Sequence, residues 1–203
     1  TIVVSFTPIN VGIKLDQIEI QYDNGVSLTS TTRDVQGEGV VPAILEISDA
    51  PSFDFGTIII SQTAQRTFAV TNTGGLPATS VSGTGLAFPF KFTGVLGYPG
   101  SAGDCGAVIN PGDTCNIDIE FVPINSGVFL DFIEMPYNDG AQLQLAEREI
   151  RAVAVTPANL VVSEDPLFDF GATAIGSTQT HIFDVTNTGG FTASLVASAV
   201  PPV

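Results

Sequence analysis

The sequence has no tryptophan, one histidine, one methionine, and only six lysines and arginines together. Against 21 acidic residues those six cations leave a net charge of −15. Such a surface repels phosphate backbones and anionic lipid headgroups, so neither nucleic acid nor a bare membrane surface is an expected partner. The acid is spread along the chain and is not gathered into a tail, which reads as solubilising surface charge. Although 44% of the residues are hydrophobic, no run approaches the roughly 18 apolar residues that span a bilayer, so direct membrane insertion is not expected. The opening residues, Thr1 to Phe6, carry neither a basic segment nor a small-residue cleavage site. They read as the inside of a strand, so a targeting segment is expected upstream of them. Scarce lysine favours a secreted protein, and the lack of any Asn-x-Ser/Thr acceptor leaves no sign of N-glycosylation.

Cysteine is nearly as scarce. Cys105 and Cys115 stand ten positions apart among turn residues. An even, closely spaced pair permits one disulfide; two free thiols or half of a metal site are the alternatives. A zinc site wants four ligands, and the single histidine, His181, is distant in sequence. The disulfide is the favoured reading, and it implies an oxidising compartment. It would contribute about 2–3 kcal/mol by restricting the unfolded chain, and it would pin the glycine-rich stretch from Tyr98 to Gly106.

What the sequence does have is a copy of itself. Pro42-Ala43 through Asp54-Phe55-Gly56 returns as Pro157-Ala158 through Asp169-Phe170-Gly171. Likewise Thr71-Asn72-Thr73-Gly74-Gly75 returns at Thr186 to Gly190, and Phe6-Thr7-Pro8-Ile9-Asn10 at Phe121 to Asn125. Residues 1–88 align without a gap on 116–203, always 115 positions apart, with roughly two in five identical. A period of that length is too long for a solenoid unit and suits a sandwich domain. The expected organisation is the back part of one unit at 1–41, a complete unit at 42–156, and the front part of a following unit at 157–203.

Within the unit, short segments alternate apolar and polar residues between Gly, Pro, Asn and Asp clusters. Ala64 to Val70, Asn116 to Val122, Val128 to Met135 and Leu143 to Val155 read as strands. Ile117, Ile119 and Phe121 alternate against Asp118 and Glu120. Asp23-Asn24-Gly25 and Asn138-Asp139-Gly140 carry tight-hairpin chemistry, and Asn110 to Asp113 reads as another turn. No stretch shows a helical period with caps. The fold class is all-β: tandem immunoglobulin-like antiparallel β-sandwiches with seven to nine strands per unit. Phe53, Phe55, Phe68, Phe88, Phe90 and Phe121 are expected to face the core.

Phe53-Asp54-Phe55-Gly56, the Thr71 to Gly75 loop, and Cys105-Gly106 with Pro111-Gly112-Asp113-Thr114-Cys115 together resemble the ASPM–SPD-2–Hydin type of immunoglobulin-like domain. More specifically they are similar to the bacterial choice-of-anchor D repeats of large secreted and surface proteins. The resemblance covers the whole chain, because the repeat does. It implies a seven- or eight-stranded sandwich used in tandem as stalk, spacer or scaffold, with no catalytic residues to carry over. Other members sit in the eukaryotic cytosol at cilia and centrosomes, but the cysteine-bearing, lysine-poor version here resembles the secreted bacterial branch.

The remaining candidates have ordinary readings. His181 could serve as a base only beside a nucleophile and an orienting carboxylate. Its repeat counterpart is Arg66, so a surface strand position is expected. Asp23, Asp54, Asp113, Asp139 and Asp169 form no closely spaced acidic triplet of the kind calcium needs. They are expected to shape turns or point outward, with no metal or cofactor bound. The Thr-Asn-Thr-Gly-Gly loops either contact a partner or use Gly74 and Gly75 for a turn with positive φ. The expected function is a non-enzymatic structural repeat of a long extracellular or cell-surface bacterial protein or filament, acting as a rigid rod. Its partners would be neighbouring copies of the same repeat, and half-units would complete one another head to tail. An adhesin or carbohydrate-contacting module is the alternative; an enzyme accessory domain is a third reading. Short linkers at Val40-Val41-Pro42 and Val155-Thr156-Pro157 predict limited bending.

Overall fold

The computed structural model describes residues 1–95, 97–194 and 196–197, and among these it contains thirteen strands and no helix. The complete unit is a two-layer sandwich. Its first sheet has four strands: β3 (Leu45–Ile47), β5 (Ala64–Asn72), β9 (Thr114–Phe121) and β7 (Phe90–Phe92), side by side in that order. Its second sheet has five: β4 (Ser52–Ile59), β11 (Leu143–Val155), β10 (Gly127–Asn138), β6 (Ala78–Thr79) and β8 (Val108–Ile109). Alternation decides what lies between them. Phe68 and Val70 of β5, Ile117, Ile119 and Phe121 of β9, Ile133 and Met135 of β10, and Ile150 of β11 are all fully buried. Aromatic rings join the layers, with Phe55 of β4 5.7 Å from Phe90 and 6.2 Å from Phe121 across the core.

Three local expectations need correction. Phe88 is 61% exposed. It lies in the turn that Phe90 N–H closes on the Ala87 carbonyl at 2.9 Å, two residues before β7 begins, so strand alternation does not extend to it. Asp118 faces away from the core yet is buried, because the loop after β7 folds over it. The sandwich is also not wholly antiparallel: β4 runs parallel to β11, pairing Ser52 with Glu149 and Ile59 with Val155. Side-chain alternation reports which face a strand buries; it carries no information about its neighbour's direction.

The β4–β11 pairing slips between Arg151 and Val153, where two steps on β11 face three on β4. Gly56 sits at this bulge with φ +79°, and its N–H donates to Asp54 Oδ1 at 2.7 Å. A bulge residue in this left-handed region favours glycine, which accounts for the last letter of the Phe-Asp-Phe-Gly motif. Asp54 itself points outward, and Arg151 Nε donates to its Oδ2 at 3.1 Å.

The flanking segments reproduce pieces of this unit. The hairpin β1 (Gly12–Asp23) and β2 (Leu28–Gly39) corresponds strand for strand to β10 and β11 at the 115-residue offset. The pair β12 (Leu160–Val162) and β13 (Val185–Asn187) corresponds to β3 and the end of β5. Both hairpins turn through four residues, longer than the tight turn expected. Asn24 Oδ1 accepts the N–H groups of Val26 and Ser27 at 2.9 Å, and Asp139 Oδ1 those of Ala141 and Gln142 at 2.7 Å.

The two phenylalanines test the core assignment. Phe121→Ala is expected to lower the unfolding free energy by about 3–5 kcal/mol through the cavity it leaves, and Phe88→Ala to change it by less than about 0.5 kcal/mol, both read by denaturant unfolding.

Candidate functional site

Cys105 and Cys115 are bonded to each other. Cys115 pairs with Val70 at the start of β9, and Cys105 ends the long loop that follows β7. The bond ties the loop to the sheet at one end, and hydrogen bonds tie it along its length. Asp104 and Cys105 N–H groups donate to the Asn116 carbonyl, and Asp118 N–H donates to the Pro99 carbonyl at 2.8 Å. The buried Asp118 carboxylate accepts from the Thr67 hydroxyl at 2.9 Å and the Thr93 hydroxyl at 2.7 Å. A carboxylate under a loop is costly unless hydrogen-bonded, and here both oxygens are.

Beside this loop a cleft of about 400 Å³ is lined by Gly83, Gly85, Lys91, Phe92, Gly97 and Tyr98 among others. Its one cation, Lys91, is engaged by Glu120 at 2.8 Å. Burial pushes the Tyr98 hydroxyl up to about 12, so it stays protonated at neutral pH.

The Thr-Asn-Thr-Gly-Gly loop is an internal brace. Asn72 is fully buried. Its Oδ1 accepts from Ile44 and Gly74 N–H groups, and its Nδ2 donates to the Leu76 and Ile109 carbonyls. One side chain thus connects β3, the loop after β5, and β8. Gly74 and Gly75 do not have positive φ. They are needed because the chain passes close to the linker: a Cβ on Gly74 would run into the Pro42 carbonyl and Ala43, and one on Gly75 would sit 3.1 Å from the Val41 carbonyl oxygen. Asn187 repeats the pattern, accepting from Asn159 and Gly189 and donating to the Phe191 carbonyl at 2.7 Å.

His181 faces Glu164, with Nε2 2.8 Å from Oε1, and stacks on Phe168 at 3.9 Å between ring centroids. Its counterpart Arg66 pairs with Asp49 at 2.8 Å and lies 5.0 Å over Phe53. Each member of one trio is 115 positions from its equivalent in the other. Neither trio includes a nucleophile, and both read as surface clasps of a flat nitrogen-bearing group with an acid and a ring. Of the other carboxylates, Asp23 and Asp169 accept from Gly25 and Gly171 N–H groups, and Asp113 from Asn110. Asp139 is held below the ordinary carboxylate value by the Gln142 N–H first, then the Gln144 side chain and the Ala141 N–H.

One residue sequence reasoning missed is Arg148 on β11. Its guanidinium donates to the Pro51 carbonyl at 2.7 Å and to that of Ile47, fastening the β3–β4 turn. The signal was present, since Arg33 stands 115 positions earlier, but a lone arginine within a strand gives no hint of which carbonyls it meets.

A two-layer sandwich with an Arg-fastened turn, an Asn-braced loop and a disulfide-tied crossover defines an immunoglobulin-like domain. The chain belongs to the HYDIN/CFA65/VesB-like, Ig-like domain family, whose model matches residues 43–149. Among solved structures it is similar to the ASH/PapD-like domain 7 of human CEP192, at 16% identity and TM-score 0.42 over 56% of this chain and 86% of that one. It is also similar to a protein of unknown function from Porphyromonas gingivalis, at 15% identity and TM-score 0.43 over 72% and 68%. The VesB protease of Vibrio cholerae follows at 13% identity and TM-score 0.40, over 54% of this chain and 31% of that one. Comparison with curated proteins finds no match.

Two measurements address these restraints. Replacing both Cys105 and Cys115 by Ala is expected to cost about 2–3 kcal/mol in denaturant unfolding and to expose the loop around Tyr98 to protease. For Asp139 the depressed value means its turn is fully supported above about pH 4 and loses that support as pH falls further. The amide shifts of Ala141 and Gln142 should titrate below that pH in the wild type. They should stay flat in Asp139→Asn, which keeps the acceptor oxygen that Asn24 uses in the other hairpin.

Proposed function

We propose that this chain is a non-catalytic structural module: a stretch of tandem immunoglobulin-like units that serves as a rigid rod outside the cell, each unit set end to end with neighbouring copies. The observation that carries this reading is the 115-residue recurrence of specific contacts. Hairpin turns, the Asn72 and Asn187 braces, the Gly56 and Gly171 turns, and the two acid–ring clasps of Arg66 and His181 all return in register. Repetition at the level of single hydrogen bonds belongs to proteins in which each unit contacts the next and length is the product. The disulfide is compatible with an oxidising compartment, and the net charge of −15 suits a solubilised surface filament more than a nucleic-acid or lipid partner.

Stiffness follows from the same features. Short turns, a tied crossover and a buried aspartate under its loop leave few low-cost local openings. Surface labelling of intact cells with a membrane-impermeant reagent, followed by electron microscopy of the shed material, tests the proposal. Labelled, reductant-sensitive protein in thin, regularly repeating rods is expected. A protein protected from the label, with its cysteines reduced, would end the extracellular reading.

A further inference from the structure

The linker ahead of the complete unit is bound by that unit on two sides. From the Thr-Asn-Thr-Gly-Gly loop, Gly75 N–H donates to the Val41 carbonyl at 3.0 Å and Thr73 N–H to the Ile44 carbonyl at 2.8 Å. Asn72 Oδ1 accepts the Ile44 N–H at 3.2 Å. From the β10–β11 turn, the Asp139 carbonyl accepts the Ala43 N–H at 2.9 Å. The strand that delivers this linker is fixed just as closely. Gly39, the last residue of β2, is buried. A Cβ there would lie 2.9 Å from Pro8 Cβ and run into the Asn10 carbonyl. Val40 alone therefore separates a residue packed into one unit from a residue bonded to the next.

We infer that the Thr-Asn-Thr-Gly-Gly loop is the joint between units: it clamps the strand leaving one unit onto the body of the next and sets one fixed orientation between them. This rests on the rod reading and names the residues that give the rod its stiffness. The loop's residues divide the task. Asn72 is buried and holds β3 and β8 together. Gly74 and Gly75 let the linker lie directly against the loop backbone. A Cβ on Gly74 would collide with the Pro42 carbonyl, and one on Gly75 would sit 3.1 Å from the Val41 carbonyl oxygen and 3.6 Å from Val40 Cβ. A side chain at either position pushes the linker away and loosens the grip on the preceding unit.

The second joint repeats the contact with a different acceptor. Gly190 N–H donates to Thr156 Oγ1 at 2.8 Å, and a Cβ on Gly190 would sit 3.0 Å from Val155 Cβ. Val155 is the last residue of β11, so here the loop touches the exit strand of the complete unit itself. Thr188 N–H and Asn187 Oδ1 bond Asn159 as Thr73 and Asn72 bond Ile44. The acceptor changes from a carbonyl to a hydroxyl, while the donating glycine stays. A flexible linker gains reach with its length, but a link with one free residue has almost none to gain. Bending between neighbours then requires breaking the loop's own bonds, which couples each unit to the next along the chain.

Paired spin labels on the 203-residue chain test the joint. One label is placed on β1 through Lys14→Cys and the other on β5 through Gln65→Cys, both at exposed positions. With the joint unaltered, dipolar spectroscopy should give a narrow distance distribution. Inserting Gly-Gly between Val40 and Val41 should broaden it about twofold, with the unfolding midpoint of the complete unit unchanged. Gly75→Val, which acts on the clamp and leaves the linker length alone, should broaden it as well. A distribution as wide without the insertion as with it overturns the proposal, and so does a Gly75→Val chain as narrow as its parent. The rod reading is tested on cells and the joint on purified protein, so either can fail alone.

Discussion

The pairing of β10 with β11 is the constraint on which the rest of the unit depends. Twelve consecutive residue pairs run from Gly127–Ala154 to Asn138–Leu143, and both outer edges of this ribbon are taken, by β4 on one side and β6 on the other. A two-stranded ribbon is marginal in water until its apolar face is covered. The cover is the four-stranded layer, and Arg148, Tyr137 and Asp139 fasten the two together by bonding the Ile47 and Pro51 carbonyls, the Leu45 N–H and, through its own carbonyl, the Ala43 N–H. The β1–β2 hairpin has the same twelve-pair register.

Much of this was legible in the residues. Period-two alternation placed β5, β9, β10 and β11. The disulfide partners were written in the spacing of Cys105 and Cys115. What escaped follows a physical pattern. Strand direction left no trace, so the parallel β4–β11 pair was unforeseen. Phe88 looked like one more inward phenylalanine because alternation continues on paper through a residue that the backbone places in a turn. Gly74 and Gly75 were read as turn residues needing positive φ, whereas their requirement is space beside the Pro42 and Val41 carbonyls. Steric need of that kind depends on a segment some thirty residues away and is invisible locally.

The two surface clasps show how a repeat varies while its geometry stays. Arg66, Asp49 and Phe53 become His181, Glu164 and Phe168, and in each trio the charged or polar ring-side group contacts its acid at 2.8 Å. Exposed pairs of this type contribute little to stability. Their recurrence marks a position where a flat polar group must lie against phenylalanine, and either guanidinium or imidazole meets that need. The unit therefore tolerates chemical exchange on its surface while keeping Asn72 and Gly56, whose roles are fixed by backbone geometry, identical in both copies.

The parallel pairing of β4 with β11 also governs how a unit behaves under load. β4 lies near the point where the chain enters the unit, and β11 is where it leaves. Because the two run side by side in the same direction, tension applied through the linkers drags one strand lengthwise past the other. The inter-strand bonds from Ser52–Glu149 to Ile59–Val155 are then loaded in shear together, with the Arg151–Asp54 ion pair across them; an antiparallel terminal pair would instead peel open one bond at a time.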